Sequence, residues 1–136
     1  MAGSVLVDAG FLIALLSRRD RHHRWAAAQF PHLPRPWKTC EAVLSEAFHL
    51  LGAGGGPVLA ALLRRRAVVP AFAMGEELER VLRLMQKYAD IPMSLADACL
   101  VRMTEILSDS ILLTTDADFH IYCRHGCQVV PCLTPY

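Results

Sequence analysis

Two short apolar runs in this chain end in an acid and lead straight into a helix-forming segment. That repeat constrains the fold more than any other feature. Ser4–Val7 reads SVLV and runs into Asp8. Ile111–Leu113 reads ILL and, after Thr114 and Thr115, runs into Asp116 and Asp118. Apolar runs this short suit strands buried on both faces. After Asp8, Gly10 permits a tight turn and Phe11–Leu16 opens a helix; after Asp118, Phe119, Ile121 and Tyr122 resume the pattern of a short helix. Buried strands alternating with helices predict an α/β domain, a parallel sheet with helices on both faces. In such sheets ligands bind outside the carboxyl ends of the strands. Acids at two strand ends are therefore where a metal is expected, although either acid alone would serve equally well as a helix cap.

The 136 residues are enough for one domain with a sizeable core. A hydrophobic share of 54% excludes disorder. No apolar run approaches the roughly 20 residues of a membrane span. Val5–Leu16 contains Asp8 and lacks a basic region before it, so it is a poor secretion signal and cytoplasmic residence is expected. The 5 cysteines are read as reduced thiols. The net charge of +1 does not announce a nucleic-acid binder. Yet only Lys38 and Lys87 are lysines, and arginines cluster at Arg18, Arg19, Arg21 and Arg24 and again at Arg64–Arg66. Guanidinium forks suit phosphate, and Arg18, Arg19, Arg21 and Arg24 are the candidates for phosphate contact; a solvated helix face is the competing reading.

Between the two acidic strand ends the chain reads mostly as helix. Asp20 can cap a helix over about 21–30, and Pro31, Pro34 and Pro36 make a loop. Thr39 reads as the N-cap of a helix over 40–51, whose apolar stripe includes Val43, Leu44 and Ala47. Glu46 projects from or beside that stripe, where a carboxylate needs a partner; Glu41, in the first turn, is explained by the helix dipole alone. Gly52–Gly56 reads as a helix stop and flexible connector, with Pro57 opening the next helix to about Arg66. Ala67–Val69 suggests a strand and Glu76–Tyr88 a peripheral charged helix. Ser94 and Asp97 form the Ser-x-x-Asp start of a helix over 95–107 that carries Ala98, Val101 and Ile106 inward. Gln128–Val130 is a last short strand.

Asp8, Glu46, Asp97 and Asp116, with Asp118 as a fifth acid, can converge at one edge of such a sheet. Like charges at close range raise each other's pKa, and a cation relieves them. All-oxygen ligands favour Mg²⁺ or Mn²⁺ over zinc, and a carboxylate-held divalent ion suits phosphodiester hydrolysis. The serines lie in no nucleophile turn. A zinc site among His120, Cys123, His125 and Cys127 is the weaker reading, because only the Cys123–Cys127 pair has suitable spacing; helix-packed cysteines are expected instead.

With these residues in view, the chain resembles the PIN-domain ribonucleases, and most of all the VapC-type toxins of prokaryotic toxin–antitoxin pairs. The resemblance rests on VLVDAGFLIALL at 5–16, TCEAVLSEAFHLL at 39–51, SLADACLV at 94–101 and LLTTDADF at 112–119, in family order. It implies a single domain over 1–136, a three-layer α/β/α fold around a parallel sheet of about five strands. It further implies Mg²⁺- or Mn²⁺-dependent RNA hydrolysis, a homodimer and a cognate antitoxin. The family's acidic quartet falls on Asp8, Glu46, Asp97 and Asp116, and Asp118 matches an additional acid near the metals, so Asp8, Asp97, Asp116 and Asp118 are the implied ligands. The stretch Asp20–Ala26, with His23, resembles the segment after the first helix. One departure is visible: Ala9-Gly10-Phe11 lacks the hydroxyl many members carry soon after the first aspartate, and Thr114 or Thr115 could supply one from the other end of the site. Two rivals remain: a non-catalytic PIN-fold module binding RNA or protein, and a phosphatase of the haloacid-dehalogenase type suggested by Asp116-Ala117-Asp118. The second wants its Asp-x-Asp after the first strand and a lysine downstream, and no lysine follows Lys87.

Overall fold

The computed structural model describes residues 3–136. Five parallel strands form the central sheet in the order β3-β2-β1-β4-β7: β1 Ser4–Val7, β2 Trp37–Thr39, β3 Val68–Pro70, β4 Ser110–Leu113 and β7 Cys132–Leu133. A separate two-stranded hairpin pairs β5 Cys123–Arg124 with β6 Gln128–Val129. The helices are α1 Ala9–Leu16, α2 His23–Gln29, α3 Glu41–Arg64, α4 Leu78–Lys87 and α5 Leu95–Ile106. β1 and β4 are the two apolar runs named above, paired in register from Ser4–Ser110 to Val7–Leu113. Leu6, Val7, Leu112 and Leu113 are wholly buried, as central strands of a parallel sheet must be.

The order of the strands sets the site. From β1 the chain steps outward through α1 and α2 to β2, then through α3 to β3. It then returns through α4 and α5 to β4 on the other side of β1. With right-handed crossovers, α1–α3 cover one face and α4–α5 the other. The chain leaves the carboxyl ends of β1 and β4 in opposite directions, which opens a crevice between them. Asp8 follows β1 and Asp116 follows β4, so both acids stand at that crevice.

Several elements differ from the reading of the sequence. The end of the Pro-rich loop is strand β2, and Thr39 is not a cap: its hydroxyl is buried and donates to the Val7 carbonyl at 2.8 Å, leaving Cys40 as N-cap of α3. The glycine run is helical. α3 bends only at Gly52, whose φ of 63° ends one helix and starts the next, so Pro57 lies inside rather than at its start. A Cβ on Gly55 would collide with Leu51, and the bare glycine lets the bent halves close up. Gln128–Val129 pairs in the hairpin, and Cys132–Leu133 takes the sheet edge. Ile106 is exposed on α5, while Leu100 and Met103 are buried. Cys40 and Cys99 are buried, but Cys123 and Cys132 lie on strands and Cys127 is exposed in a turn, so these three are not helix-packed. Among the described residues α3 is the one helix long and apolar enough to cross a membrane, yet it is broken at Gly52 and buries Val43, Leu44, Ala47 and Leu59 in the core.

Gly10 has a positional duty. A Cβ there would strike Thr115 Oγ1, so a side chain at position 10 forces that hydroxyl, on the loop that carries Asp116, to swing aside. Gly54, by contrast, has open space around it within a helix. Urea unfolding should therefore show Gly10→Ala destabilised by about 1–3 kcal/mol through overpacking, and Gly54→Ala stabilised by roughly 0.5–1 kcal/mol through helix propensity. Equal effects at the two positions would show that Gly10 has no such duty.

Candidate active site

Asp8 is the centre of the crevice and is only 7% exposed. It is the N-cap of α1: one carboxylate oxygen accepts from the Ala9 N–H at 2.7 Å. The other accepts from the Thr114 hydroxyl at 2.7 Å, and the Asp8 N–H donates to the Leu113 carbonyl at 3.1 Å. The Thr114 oxygen in turn accepts from the Asp116 N–H at 3.0 Å. One buried hydroxyl thus ties the two strand-end acids together. This is the hydroxyl missing after Asp8, supplied from across the site, while Thr115 fills the space over Gly10. Asp116 starts a 3₁₀ turn, accepting from the Asp118 N–H at 2.9 Å; its capping role and its place at the site coexist.

Asp97 arrives from the other face of the sheet. The capping box is formed: Ser94 Oγ accepts from the Asp97 N–H at 3.0 Å and Asp97 Oδ2 accepts from the Ser94 N–H at 3.3 Å. The same Oδ2 accepts from the Tyr122 hydroxyl at 3.1 Å. Tyr122 is buried and packed edge-on against Tyr88 and Phe119. Its role was not visible in the sequence, where it reads only as part of an apolar pattern.

The three acids lie near enough to act on one another's charge. Burial above all pushes the Asp8 carboxyl up to about 7; the bond from Thr114 opposes the rise, and the charges of Asp97 and Asp116 add to it. Burial and then the Asp116 charge raise Asp97, opposed by its bonds to Ser94 and Tyr122. Burial first, then Asp97, raises the Tyr122 phenol, and Asp118 and Asp116 contribute as well. So Asp8, Asp97, Asp116 and Asp118 are brought to one edge. Glu46 is placed differently. It is exposed on α3 beside the buried Val43, Leu44 and Ala47, and it makes no hydrogen bond or ion pair among the described residues. Solvent, not a partner, satisfies it. Arg18, Arg19, Arg21 and Arg24 are exposed around the α1–α2 connection and form no ion pair among the described residues. His23 serves packing, its Nδ1 donating to the Ala14 carbonyl at 2.8 Å.

The donor set fits a hard divalent cation. Three partly buried carboxylates repel one another, and burial makes Asp8 costly to ionise without a countercharge. Among the described residues no three His, Cys, Asp or Glu side chains are grouped closely enough to enclose an ion. Mg²⁺ commonly takes only one or two protein carboxylates and keeps its waters. The zinc reading fares worse: His120 turns toward Cys132, 4.0 Å away, and Thr134 rather than toward Cys123 and Cys127. A surface hollow of about 690 Å³ lies between Pro34–Pro36 and Ile106–Asp109 at the amino-terminal edge of the sheet, away from Asp8, Asp97 and Asp116.

These features define an α/β domain with an acid cluster at the switch point of a five-stranded parallel sheet. Residues 5–124 match the PIN domain, and the chain belongs to the PIN-domain family. Its fold is similar to that of VapC20 from Mycobacterium tuberculosis, a sarcin-ricin-loop-cleaving toxin, at 23% identity over 85% of this chain and 92% of that one, with a TM-score of 0.73. It is also similar to PAE2754 from Pyrobaculum aerophilum, at 20% identity over 87% of this chain and 84% of that one, with a TM-score of 0.53. No curated protein matches it. Family membership leaves no room for the haloacid-dehalogenase reading, and Asp116-Ala117-Asp118 indeed follows the fourth strand, not the first.

The buried Asp8 has a consequence for stability. Unfolded, its carboxyl ionises near 3.8; folded and without metal, only near 7. Between these values the folded state binds more protons, so stability falls as pH rises from about 4 to about 7 and levels off above. Urea titrations in chelator should show this loss, on the order of 4 kcal/mol in total, and Asp8→Asn should flatten it and be the more stable chain at neutral pH. An equally steep profile in Asp8→Asn would place the titration elsewhere.

Proposed function

We propose that this protein is a Mg²⁺- or Mn²⁺-dependent endoribonuclease, the cytoplasmic toxin of a toxin–antitoxin pair. The observation that carries the reading is the Asp8–Thr114–Asp116 link facing Asp97 within a PIN fold. Likeness to a toxin that cleaves the sarcin-ricin loop supports RNA as substrate. Asp8, Asp97 and Asp116 would hold the ion, with Asp118 beside them. When bound, the ion supplies neutralising charge on the phosphate and an acidified water. The chain's own residues do the rest. Thr114 fixes the Asp8 carboxylate, and the Tyr122 hydroxyl fixes Asp97, so that each presents a set oxygen rather than a rotating one. Hydrolysis adds water across one P–O bond: the attacking oxygen bonds to phosphorus, its proton passes to solvent or carboxylate, and the ribose oxygen leaves protonated. Glu46 is the fourth acid of the reading and stands in solvent on α3. Exposed Phe48, Leu50 and Val58 on α3 give an antitoxin or a second copy apolar surface to cover.

Purified Asp8→Asn and Asp97→Asn should lose Mg²⁺-dependent cleavage of total RNA by a factor of about 10² or more with circular dichroism unchanged. Glu46→Gln should lose less, because no built contact holds it. Thr114→Val should weaken Mn²⁺ binding about tenfold, the scale of a lost supporting hydrogen bond. Full activity in both aspartate variants would rule the nuclease reading out and favour a binding module.

A further inference from the structure

The chain does not stop at the sheet edge. After β7 it turns back and lays Tyr136 across the rim of the acid cluster. The Tyr136 hydroxyl donates to the Thr115 carbonyl at 2.9 Å, one residue before Asp116. Its ring meets the His22 ring edge to face, with centroids 5.6 Å apart and planes at 82°. The Tyr136 N–H donates to Thr134 Oγ1 at 3.4 Å, so the ring is held from both ends. His22 is held in turn: its N–H donates to Asp20 Oδ1 at 2.9 Å, and Arg21 Nε donates to its Nε2 at 3.0 Å. Despite this anchoring Tyr136 is 64% exposed. An aromatic ring already immobilised but open to water loses little entropy when a flat partner stacks on it. Unpaired RNA bases are recognised by stacking on such rings, with arginines taking the phosphates between. Here Arg18, Arg19, Arg21 and Arg24 are exposed on the segment that carries His22.

We propose that Tyr136, propped by His22, is a stacking subsite for an unpaired RNA base flanking the phosphate presented to Asp8 and Asp116. The inference rests on the ribonuclease reading and adds to it a place where single-stranded substrate is positioned.

The test is binding rather than cleavage: anisotropy of short fluorescein-labelled oligoadenylate and oligouridylate, in chelator, across a range of salt. Tyr136→Ala should weaken binding roughly tenfold with an unchanged salt slope, because stacking releases no counterions. Tyr136→Phe keeps the ring and loses only the hydroxyl bond, so it should bind within about twofold of the parent. Arg21→Ala should lower the slope of log K against log salt by about 0.7. In an oligonucleotide carrying 2-aminopurine, quenching at one base should vanish in Tyr136→Ala and persist in Tyr136→Phe. Parent-like binding by Tyr136→Ala overturns the inference and leaves the nuclease reading standing. A Phe variant as weak as the Ala variant also overturns it, since the hydroxyl would then be anchoring the chain rather than the ring binding a base. A parent chain that binds neither oligonucleotide also overturns it, while the nuclease reading stands or falls on cleavage by the aspartate variants with Mg²⁺ present.

Discussion

A carboxylate sealed at the end of a central strand is the constraint on which the rest of this molecule depends. Asp8 must cap α1, which uses one oxygen, and must not stand bare in the core, which requires a donor for the other. That donor, Thr114, belongs to the neighbouring strand, so β1 and β4 are locked by a side-chain bond as well as by their ladder. The same hydroxyl takes the Asp116 N–H and so sets where the second acid points. The bare Gly10 leaves room for the Thr115 hydroxyl on the loop that carries Asp116. Capping, sheet registry, a glycine and the acid cluster are therefore one interlocked arrangement. It holds together at the cost of concentrating like charges, and it is least comfortable when metal-free at neutral pH.

The parts of the fold legible in the sequence are those whose signal is local. β1, β4, α1 and the Ser94–Asp97 start of α5 each carry a complete pattern within a few residues. β2 and β7 do not. Each is only two or three residues long, sits behind a proline, and becomes a strand because a neighbour offers a ladder. The glycine run misleads for the opposite reason. Its composition argues for a helix stop and a flexible connector; the stop is present at Gly52, but the residues after it are helical rather than flexible. In the site, Asp8, Asp97 and Asp116 could be singled out as strand-end or helix-start acids. Their supports could not: Tyr122 reaches Asp97 across 25 positions, and Thr114 reaches Asp8 across 106. Pairings at that separation leave no trace in local periodicity.

Glu46 shows where a helical stripe stops being informative. Three residues on from Val43 and one before Ala47, it could face the core or its margin; the structure places it in water. An exposed glutamate and a buried aspartate cannot contribute alike, because field strength falls steeply with local dielectric. On the proposed reading, the work of gathering charge falls on the three acids inside the crevice.

That division poses a problem for a substrate that is itself a polyanion. An acid cluster repels phosphate until a cation is present, and a net charge of +1 provides no general attraction. Affinity must then come from beside the cluster. The arginines around the α1–α2 connection are exposed and unpaired among the described residues, and Tyr136 and His22 lie between them and Asp116. Stacking does not depend on charge and is not diminished by the carboxylates, so an aromatic ring is the kind of contact that can operate at the edge of a negative hollow. On the proposed reading the exposed arginines of the α1–α2 connection neutralise the backbone phosphates that the ring leaves uncovered. Separating the groups that grip the strand from those that cut it is thus what the electrostatics of the crevice require.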